Sequence, residues 1–321
     1  MFTRQGLSIT VFLAFFAFLL TPALANADSM AEYENLPPFS QVGVKSNVLL
    51  VMDYSGSMQS PAHYGTDFDG YYSSRVADYG DSGEVSTSYN PSQTYYGYFN
   101  SDAYYWYASG HWEKTSTSYS DRIGYKSELS GNLLNFLVTS RIDASLKAMI
   151  GGKGECSGDT CTLKPQGSRR YVEIENLNCT AYVRPEDPYS GDYSGKEVRI
   201  SVADANNGSC QIGTFSDRYA NVQVDADKRE GMVQNNFDSV RFGFIPYASY
   251  TSYDDDADEG NIEHGVHNAN MTQLVNEIEG IVPYQGTHTG EALWEAYDYL
   301  HQSDDHDYED NSYYIDKTGS K

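Results

Sequence analysis

The sequence predicts an α/β fold in which two long insertions separate the main strands and helices. Two largely apolar strands, Asn47–Met52 and Ser239–Tyr247, carry this prediction together with two amphipathic helices. Apolar runs of this length are typical of strands buried in a sheet that helices cover. We therefore expect both strands to lie inside a mixed α/β sheet.

The N-terminal residues have the pattern of a secretory signal. Arg4 precedes the apolar run Leu7–Leu20, and small residues follow in Ala23–Ala27. An uncleaved membrane anchor is the alternative, but the run is shorter than the ~20 residues that a spanning helix needs. We expect a signal peptide over 1–27, cleaved near Ala25 or Ala27, and a linker over 28–46. No later stretch is apolar enough to span a bilayer, so we expect export to the periplasm or outer surface, without a transmembrane segment after cleavage.

Composition limits the classes of partner. The chain has 321 residues, a hydrophobic content of 40% that can form a real core, and a formal net charge of -24. Nucleic acids and anionic membranes require basic surfaces, so the charge argues against both as partners.

The first strand ends in a run of oxygen-bearing side chains. Asp53, Ser55 and Ser57 alternate along the chain, which places their side chains on one side of an extended segment. Hard divalent cations prefer oxygen ligands, so the three side chains can converge on one ion. A further hydroxyl, Thr287, lies in the loop Gly286–Gly290.

The first insertion, 59–125, is rich in Tyr, Ser, Gly and Asp. We expect no helix-packed core here. Tyrosine mixed with serine and glycine is typical of binding loops, and the alternative is a loosely ordered loop whose tyrosines stack on the domain beneath it.

The segment Ser127–Ile150 predicts one amphipathic helix that Ser127 caps and Gly151 ends. Apolar residues recur along it at mostly three- to five-residue spacing, so it can pack against the sheet. Arg141, Asp143 and Lys147 are expected on a solvated polar face.

The second insertion, 153–235, changes to an alternating pattern that predicts short antiparallel strands. It contains the four cysteines, which allow three connectivities in an exported chain. The simplest is the local one, Cys156 with Cys161 and Cys179 with Cys210. Zinc binding is disfavoured because neither pair has the spacing of a zinc knuckle.

Two acidic runs, Asp254–Gly260 and His301–Asp310, are expected to be solvated, although each could hold calcium or another metal loosely. Between them, Glu291–Leu300 predicts a helix with one apolar face. The face consists of Ala292, Leu293, Ala296, Tyr297 and Leu300.

The pairing of Asp53–Ser57 with Gly286–Leu293 resembles the metal-ion-dependent adhesion site of a von Willebrand factor A domain. More narrowly, Tyr95–Phe99, Gly131–Asp143 and Gly151–Lys153 are similar to PilY-type proteins of bacterial type IV pili. The resemblance covers about Asn47 to Leu300. It implies a partial von Willebrand factor A-like domain over 47–321, with a Rossmann-like, mostly parallel sheet.

The resemblance also implies a ligand set. The hydroxyls of Ser55, Ser57 and Thr287 would hold Mg²⁺ (or Mn²⁺ or Ca²⁺), and Asp53 would bind directly or through water. The implied partners are minor pilins and an acidic surface ligand whose carboxylate completes the ion's shell. The family pattern also calls for a later aspartate in a sequence like Thr-Asp-Gly, which does not follow the last helix. We therefore expect the chain to be the N-terminal portion of a longer PilY-like protein.

Three functions remain open from the sequence. The first is a secreted, metal-dependent adhesion module of the type IV pilus, and the second is a non-adhesive surface protein that uses the cation to hold loops. The third is a hydrolase using Ser55 or Ser57 with His288, which is disfavoured because the chain has no nucleophile elbow. We expect no enzymatic activity.

Overall fold

The structure is a computed structural model that describes residues 45–63, 84–87, 89–116, 122–125, 128–167, 170–185, 197–205, 208–247, 262–266, 268, 270–283 and 289–301. Outside this part of the chain lie the signal segment, nearly all of the linker, the run 254–260, Thr287, His288 and the tail 302–321. Within it, no helix is long and apolar enough to cross a membrane.

The described part of the chain contains the following strands and helices, given in chain order within each class. The strands are β1 (Ser46–Asp53), β2 (Glu84–Thr87), β3 (Tyr104–Ala108), β4 (His111–Lys114), β5 (Gly124–Tyr125), β6 (Glu128–Ser130), β7 (Gly154–Ser157), β8 (Thr160–Leu163), β9 (Arg170–Ile174), β10 (Cys179–Pro185), β11 (Val198–Asp204), β12 (Phe215–Tyr219), β13 (Val222–Asp225) and β14 (Val240–Tyr247). The α-helices are α1 (Gly131–Val138), α2 (Arg141–Ile150), α3 (Met232–Asn236), α4 (Met271–Gly280) and α5 (Thr289–His301).

The first and last strands form a two-stranded sheet. The two strands are parallel. Gly243 of β14 lies opposite Leu49 of β1, and further along both strands the N–H of Tyr54 donates to the carbonyl of Tyr247 at 2.9 Å. The carboxyl ends of β1 and β14 therefore lie at the same edge. Both strands expected from the apolar runs are present.

Helices cover both faces of this sheet. Alternate residues Leu50, Met52, Phe242 and Phe244 pack with α2, α3 and α4, which bury Leu146, Val233, Leu274 and Ile278. The opposite face, represented by Ile245 and Val51, packs with α5. The alternation follows from the two-residue period of a strand and gives the helix–sheet–helix layering of an α/β fold.

The remaining strands, β2 to β13, form with α1 a body that we call the inserted module. One of its sheets has the order β12-β11-β10-β9-β2, and the other has the order β5-β6-β3-β4-β13-β8-β7. Parallel pairing occurs between β2 and β9 and between β4 and β13, while the other described pairs in the module are antiparallel. The expectation of a mostly parallel sheet therefore fits the two-stranded sheet but not the described chain as a whole, which is mixed α/β.

The predicted helix 127–150 is wrong as a single element. Residues Glu128–Ser130 form β6, and two helices follow with a break at Thr139 and Ser140. Ser130 caps the first helix by accepting from the N–H of Leu133, and Ser140 caps the second in a capping box with Asp143. Two separate caps override the apolar periodicity, and Gly151 ends α2 in the left-handed conformation as expected.

The described part of the tyrosine-rich stretch contributes to a core that packs on a helix, which corrects the expectation of no helix-packed core. Every residue of α1 is buried, and the tyrosine rings around it are buried with it. The buried aromatic residues of this stretch include Tyr89, Tyr95, Tyr98, Phe99, Tyr104, Tyr105 and Trp112. Tyrosine can occupy a core because its hydroxyl finds a partner, as when Tyr89 donates to the carbonyl of Arg122 at 2.7 Å.

Two disulfides lie in the inserted module. Cys156 is bonded to Cys161 across the β7–β8 hairpin, and Cys179 is bonded to Cys210. This is the local pairing that the cysteine spacing favours.

The last helix departs from its predicted face. Ala292 and Ala296 are buried against the sheet as expected, but Tyr299 and Asp298 are buried with them. Leu293, Tyr297 and Leu300, predicted on the buried face, are more than half exposed, as is Trp294. The face of α5 that packs on the sheet therefore consists of Ala292, Ala296 and Tyr299, and it is rotated from the predicted one.

Candidate cation-binding loop

The candidate loop begins at the last residue of β1. Oδ1 of Asp53 accepts from the N–H of Ser55 at 2.7 Å, so the carboxylate closes a tight turn as the strand ends. A short 3₁₀ turn, Gly56–Gln59, follows at once. The loop is therefore held by its own first side chain.

The two serine hydroxyls of the loop lie together. Oγ of Ser55 is 2.9 Å from Oγ of Ser57, and the Ser55 side chain is buried while Ser57 is exposed. Neighbouring ligands of an octahedral Mg²⁺ at about 2.1 Å lie about 3.0 Å apart, which is close to this separation. The structure thus brings two of the four predicted ligand hydroxyls, those of Ser55 and Ser57, within hydrogen-bond distance of each other, and Asp53 contacts the backbone N–H of Ser55 in the same loop.

Tyr54 fixes the loop from behind. Its backbone N–H donates to Tyr247, its ring meets Phe244 edge-on at 6.3 Å, and its hydroxyl donates to the carbonyl of Ile278 at 2.9 Å. Burial raises the pKa of Tyr54 well above its usual range, so the hydroxyl stays protonated and remains a donor. Tyr54 is fully buried, so the main chain between Asp53 and Ser55 is fixed to the core.

The fourth predicted ligand, Thr287, lies outside the described residues. Its neighbour Thr289 begins α5, and the Thr289 hydroxyl is 3.4 Å from the hydroxyl of Tyr247. Tyr247 in turn pairs with Tyr54, next to Asp53. The start of α5 and the candidate loop are therefore both attached to the carboxyl end of β14, where open α/β sheets hold their ligands.

Among the residues that the structure describes, carboxylates and imidazoles do not form a cluster near the loop. In the part of the chain that the structure describes, no three His, Cys, Asp or Glu side chains form a group able to hold a metal. The candidate loop contains one carboxylate and depends on hydroxyls, so a bound ion would keep much of its positive charge.

One comparison with known protein families covers the inserted module. Residues 86–234 match the family described as PilY1 homolog, small alpha/beta domain. Over this segment the chain is similar to that family. No curated protein and no solved structure matches the chain. The matched segment contains the inserted module almost entirely and leaves out Asp53, Ser55, Ser57 and Thr287.

The sequence analysis did not predict one buried polar cluster in the matched segment, 86–234. Asp143 was expected on a solvated face, but it is buried, and its carboxylate accepts from the hydroxyl of Ser140 at 2.6 Å and from the N–H of Gln166 at 2.9 Å. Burial raises the pKa of Asp143 to about 6, although hydrogen bonds from Ser140, Gln166 and Tyr98 lower it in part. The spacing Ser140-x-x-Asp143 is the sequence signal that could have revealed a buried cap.

Lys147 was also expected in solvent. Its ammonium donates to the carbonyl of Gly97 and lies 4.7 Å from the centre of the Tyr96 ring, so burial lowers its pKa. The lysine therefore attaches α2 to the aromatic stretch.

A second missed group lies beside β14. His264 is fully buried, with Nδ1 at 2.6 Å from a carboxylate oxygen of Glu277 and Nε2 at 3.1 Å from the carbonyl of Asn268. Its backbone pairs with Phe244 of β14. The residue joins α4 to the strand that ends next to the candidate loop, and no local sequence pattern marks it.

Proposed function

We propose that this chain is an exported, metal-dependent binding module of a type IV pilus system, and that it binds without catalysing a reaction. The observation that carries the metal-dependent part is the loop at the end of β1, where Asp53 closes the turn and the hydroxyls of Ser55 and Ser57 lie 2.9 Å apart. In this proposal Ser55, Ser57 and Thr287 hold Mg²⁺ (or Mn²⁺ or Ca²⁺), and Asp53 binds directly or through water.

The charge of the ligand set explains why a cation would recruit a partner. Neutral hydroxyls cancel little of the ion's charge, so an oxygen ligand from outside, above all a carboxylate, is drawn to complete the shell. The chain itself has a net charge of -24 and would otherwise repel an acidic ligand. The ion therefore supplies a local positive site for an acidic surface ligand.

The relation to PilY1 supports the association with type IV pili. The matched segment covers residues 86–234, and its two disulfides fit an exported protein. We propose minor pilins as the pilus-side partners, with the protein acting in pilus assembly and surface attachment.

The second candidate function is a non-adhesive surface protein that uses the cation only to hold its loops. The burial of Ser55 favours this alternative, because a fully covered hydroxyl contributes to the loop more than to an incoming ligand. The two functions differ in whether a partner binds to the ion.

Calorimetric titration of the purified chain with MgCl₂ tests the proposal. We expect saturable binding, and we expect Asp53→Ala to weaken it at least about tenfold, as removal of a ligand commonly does. Asp227→Ala is the matched control, because Asp227 is an exposed carboxylate on a short 3₁₀ turn far along the chain. Wild-type protein that binds no Mg²⁺, Mn²⁺ or Ca²⁺ would refute the metal-dependent function.

A second measurement separates adhesion from loop stabilisation. The protein is applied to carboxylate-coated and amine-coated beads with Mg²⁺, and then EDTA is added. Adhesion predicts retention on the carboxylate beads that EDTA and Asp53→Ala both abolish. Metal binding without such retention would favour the structural alternative.

A further inference from the structure

The candidate loop is attached to the C-terminal turn of α4 through one side chain. The Tyr54 hydroxyl donates to the carbonyl of Ile278, which is among the last carbonyls of α4 (Met271–Gly280). These terminal carbonyls lack partners within their own helix, so a side chain that binds one of them also fixes the helix end. Both Tyr54 and Ile278 are fully buried, which makes loss of the bond costly.

The next residue of the same turn holds the inserted module. Glu279 forms an ion pair with Arg229, and its Oε1 accepts from the N–H of Gly154 at 2.8 Å. The Arg229 and Glu279 side chains are only 13% and 17% exposed. Solvent screens such a pair weakly, and removing one partner leaves the other charge poorly solvated.

Arg229 extends this contact to the disulfide-bonded hairpin. Its Nε donates to the carbonyl of Gly152 at 3.1 Å, and its Nη1 lies 3.3 Å from the sulfur of Cys156. Gly154 begins β7, so Glu279 contacts the hairpin directly as well as through Arg229. Two consecutive residues of α4 therefore hold the candidate loop on one side and the β7–β8 hairpin on the other.

We propose that the last turn of α4 couples the candidate cation loop to the β7–β8 hairpin, with Tyr54 and Glu279 as positioning residues. The effect of a cation on this coupling rests on the proposed function, whereas the contacts that carry the coupling are present without an ion. A cation that holds Asp53 and Ser55 also holds Tyr54 between them, and thereby the Ile278–Glu279 turn. By linkage, loosening the hairpin weakens cation binding by the same factor as the cation tightens the hairpin.

Hydrogen–deuterium exchange tests the coupling first without metal. We expect Tyr54→Phe to increase exchange of the backbone amides of 154–163 at least about threefold, although Tyr54 contacts none of them directly. Glu279→Gln is expected to increase exchange at residues 55–58. Tyr182→Phe and Glu230→Gln are matched controls at exposed positions, and near-UV circular dichroism verifies that each variant is folded.

The second arm adds 10 mM MgCl₂. Wild-type protein is expected to gain protection in the hairpin, and both variants are expected to lose that gain and to bind Mg²⁺ about five- to tenfold more weakly, within the usual range of coupling between sites. If Tyr54 has only a local packing role, Tyr54→Phe will not change amide exchange in the hairpin, and Glu279→Gln will bind Mg²⁺ and gain protection as the wild type does.

The outcomes separate the two proposals. If the metal-free effects appear but wild-type protein binds no cation, the coupling stands and the metal-dependent function fails. If the cation binds but Tyr54→Phe leaves hairpin exchange unchanged with and without Mg²⁺, the coupling is overturned and the cation site stands.

Discussion

The inserted module and the candidate loop are both rich in hydroxyl and amide side chains, but they use them differently. In the module, Asn135 of α1 is fully buried, accepts from the N–H of Phe99 and donates to the carbonyls of Tyr95 and Phe99 at 2.8–3.0 Å. In the loop, the hydroxyls of Ser55 and Ser57 lie against each other at the end of a strand, and one of them is exposed. Polar side chains that bond to buried main-chain groups stabilise the fold. Two hydroxyls that bond to each other at the end of a strand can instead break that bond and bind a ligand.

The same contrast appears in how each region is fastened. The module contains both disulfides and an extended cluster of buried aromatic residues, while the loop is held by Asp53 and by the buried side chain of Tyr54. We therefore expect substitutions in the module to change stability and substitutions in the loop to change cation binding.

Removal of a disulfide gives the largest expected effect and compares two parts of the module. The separations along the chain are 31 residues for Cys179–Cys210 and 5 for Cys156–Cys161. Loop-closure entropy predicts a loss of about 4 kcal/mol for the Cys179→Ala/Cys210→Ala variant and about 2 kcal/mol for the other pair. Urea denaturation measures both losses, and equal losses would contradict the entropic account.

Asn135→Ala tests whether the buried amides hold the module. Three backbone groups lose their partner, so we expect the free energy of unfolding to fall by about 3 kcal/mol. Asn236→Ala is the control, since Asn236 is exposed on α3 and its loss is expected to cost about 0.5 kcal/mol or less. If Asn135→Ala lowers the free energy of unfolding by less than about 1 kcal/mol, aromatic packing and not the buried amides stabilises the module.

Asp143 adds a pH dependence that belongs to the module and α2, not to the loop. Its pKa in the folded protein is about 6, above the ~3.9 of an unfolded chain. The folded state then binds the proton more tightly, so this contribution to stability is fully present below pH ~4 and is lost as the pH rises to about 6.

The measurement compares wild type with Asp143→Asn by urea denaturation from pH 4 to pH 7. We expect the unfolding free energy of wild type, relative to the variant, to fall by about 2–3 kcal/mol over this window. A constant difference would mean that Asp143 stays ionised throughout.

Ser57→Ala is expected to have the smallest effect on stability and a clear effect on binding. Ser57 is exposed, so the free energy of unfolding should change by about 0.5 kcal/mol or less, whereas Mg²⁺ affinity measured by calorimetry should fall about tenfold. Ser92→Ala is the matched exposed control. Equal Mg²⁺ affinity in Ser57→Ala and wild type would remove the hydroxyl from the ligand set.

Local sequence patterns predicted the elements that are buried on a regular period. The strands β1 and β14, the antiparallel ladder from β9 to β12 and the ending of α2 at Gly151 all follow from apolar alternation or from cap chemistry. The tyrosine-rich stretch was misjudged because composition alone does not tell whether a tyrosine hydroxyl will find a buried acceptor. That depends on Asn132, Asn135 and distant carbonyls such as that of Arg122.

For the candidate site, alternation along an extended segment predicted Asp53, Ser55 and Ser57 on one side of the chain, but the strand ends at Asp53 and Ser57 lies in a 3₁₀ turn. It could not show that Tyr54 reaches Ile278, which is 224 residues away in the sequence. It also could not show that His264 would be fully buried beside β14, because both depend on how separate helices pack on one sheet.

The sequence by itself determined the buried strands, the net negative charge, the cysteine spacing and the alternation of the oxygen-bearing side chains after β1. Each of these follows from composition or from residues that are neighbours in the chain. Only the tertiary structure decided that the tyrosines form a core, that Asp143 is buried and that the last turn of α4 joins the loop to the hairpin. These features depend on contacts between residues far apart in the chain, and their energies come from burial and hydrogen bonding that no local pattern specifies.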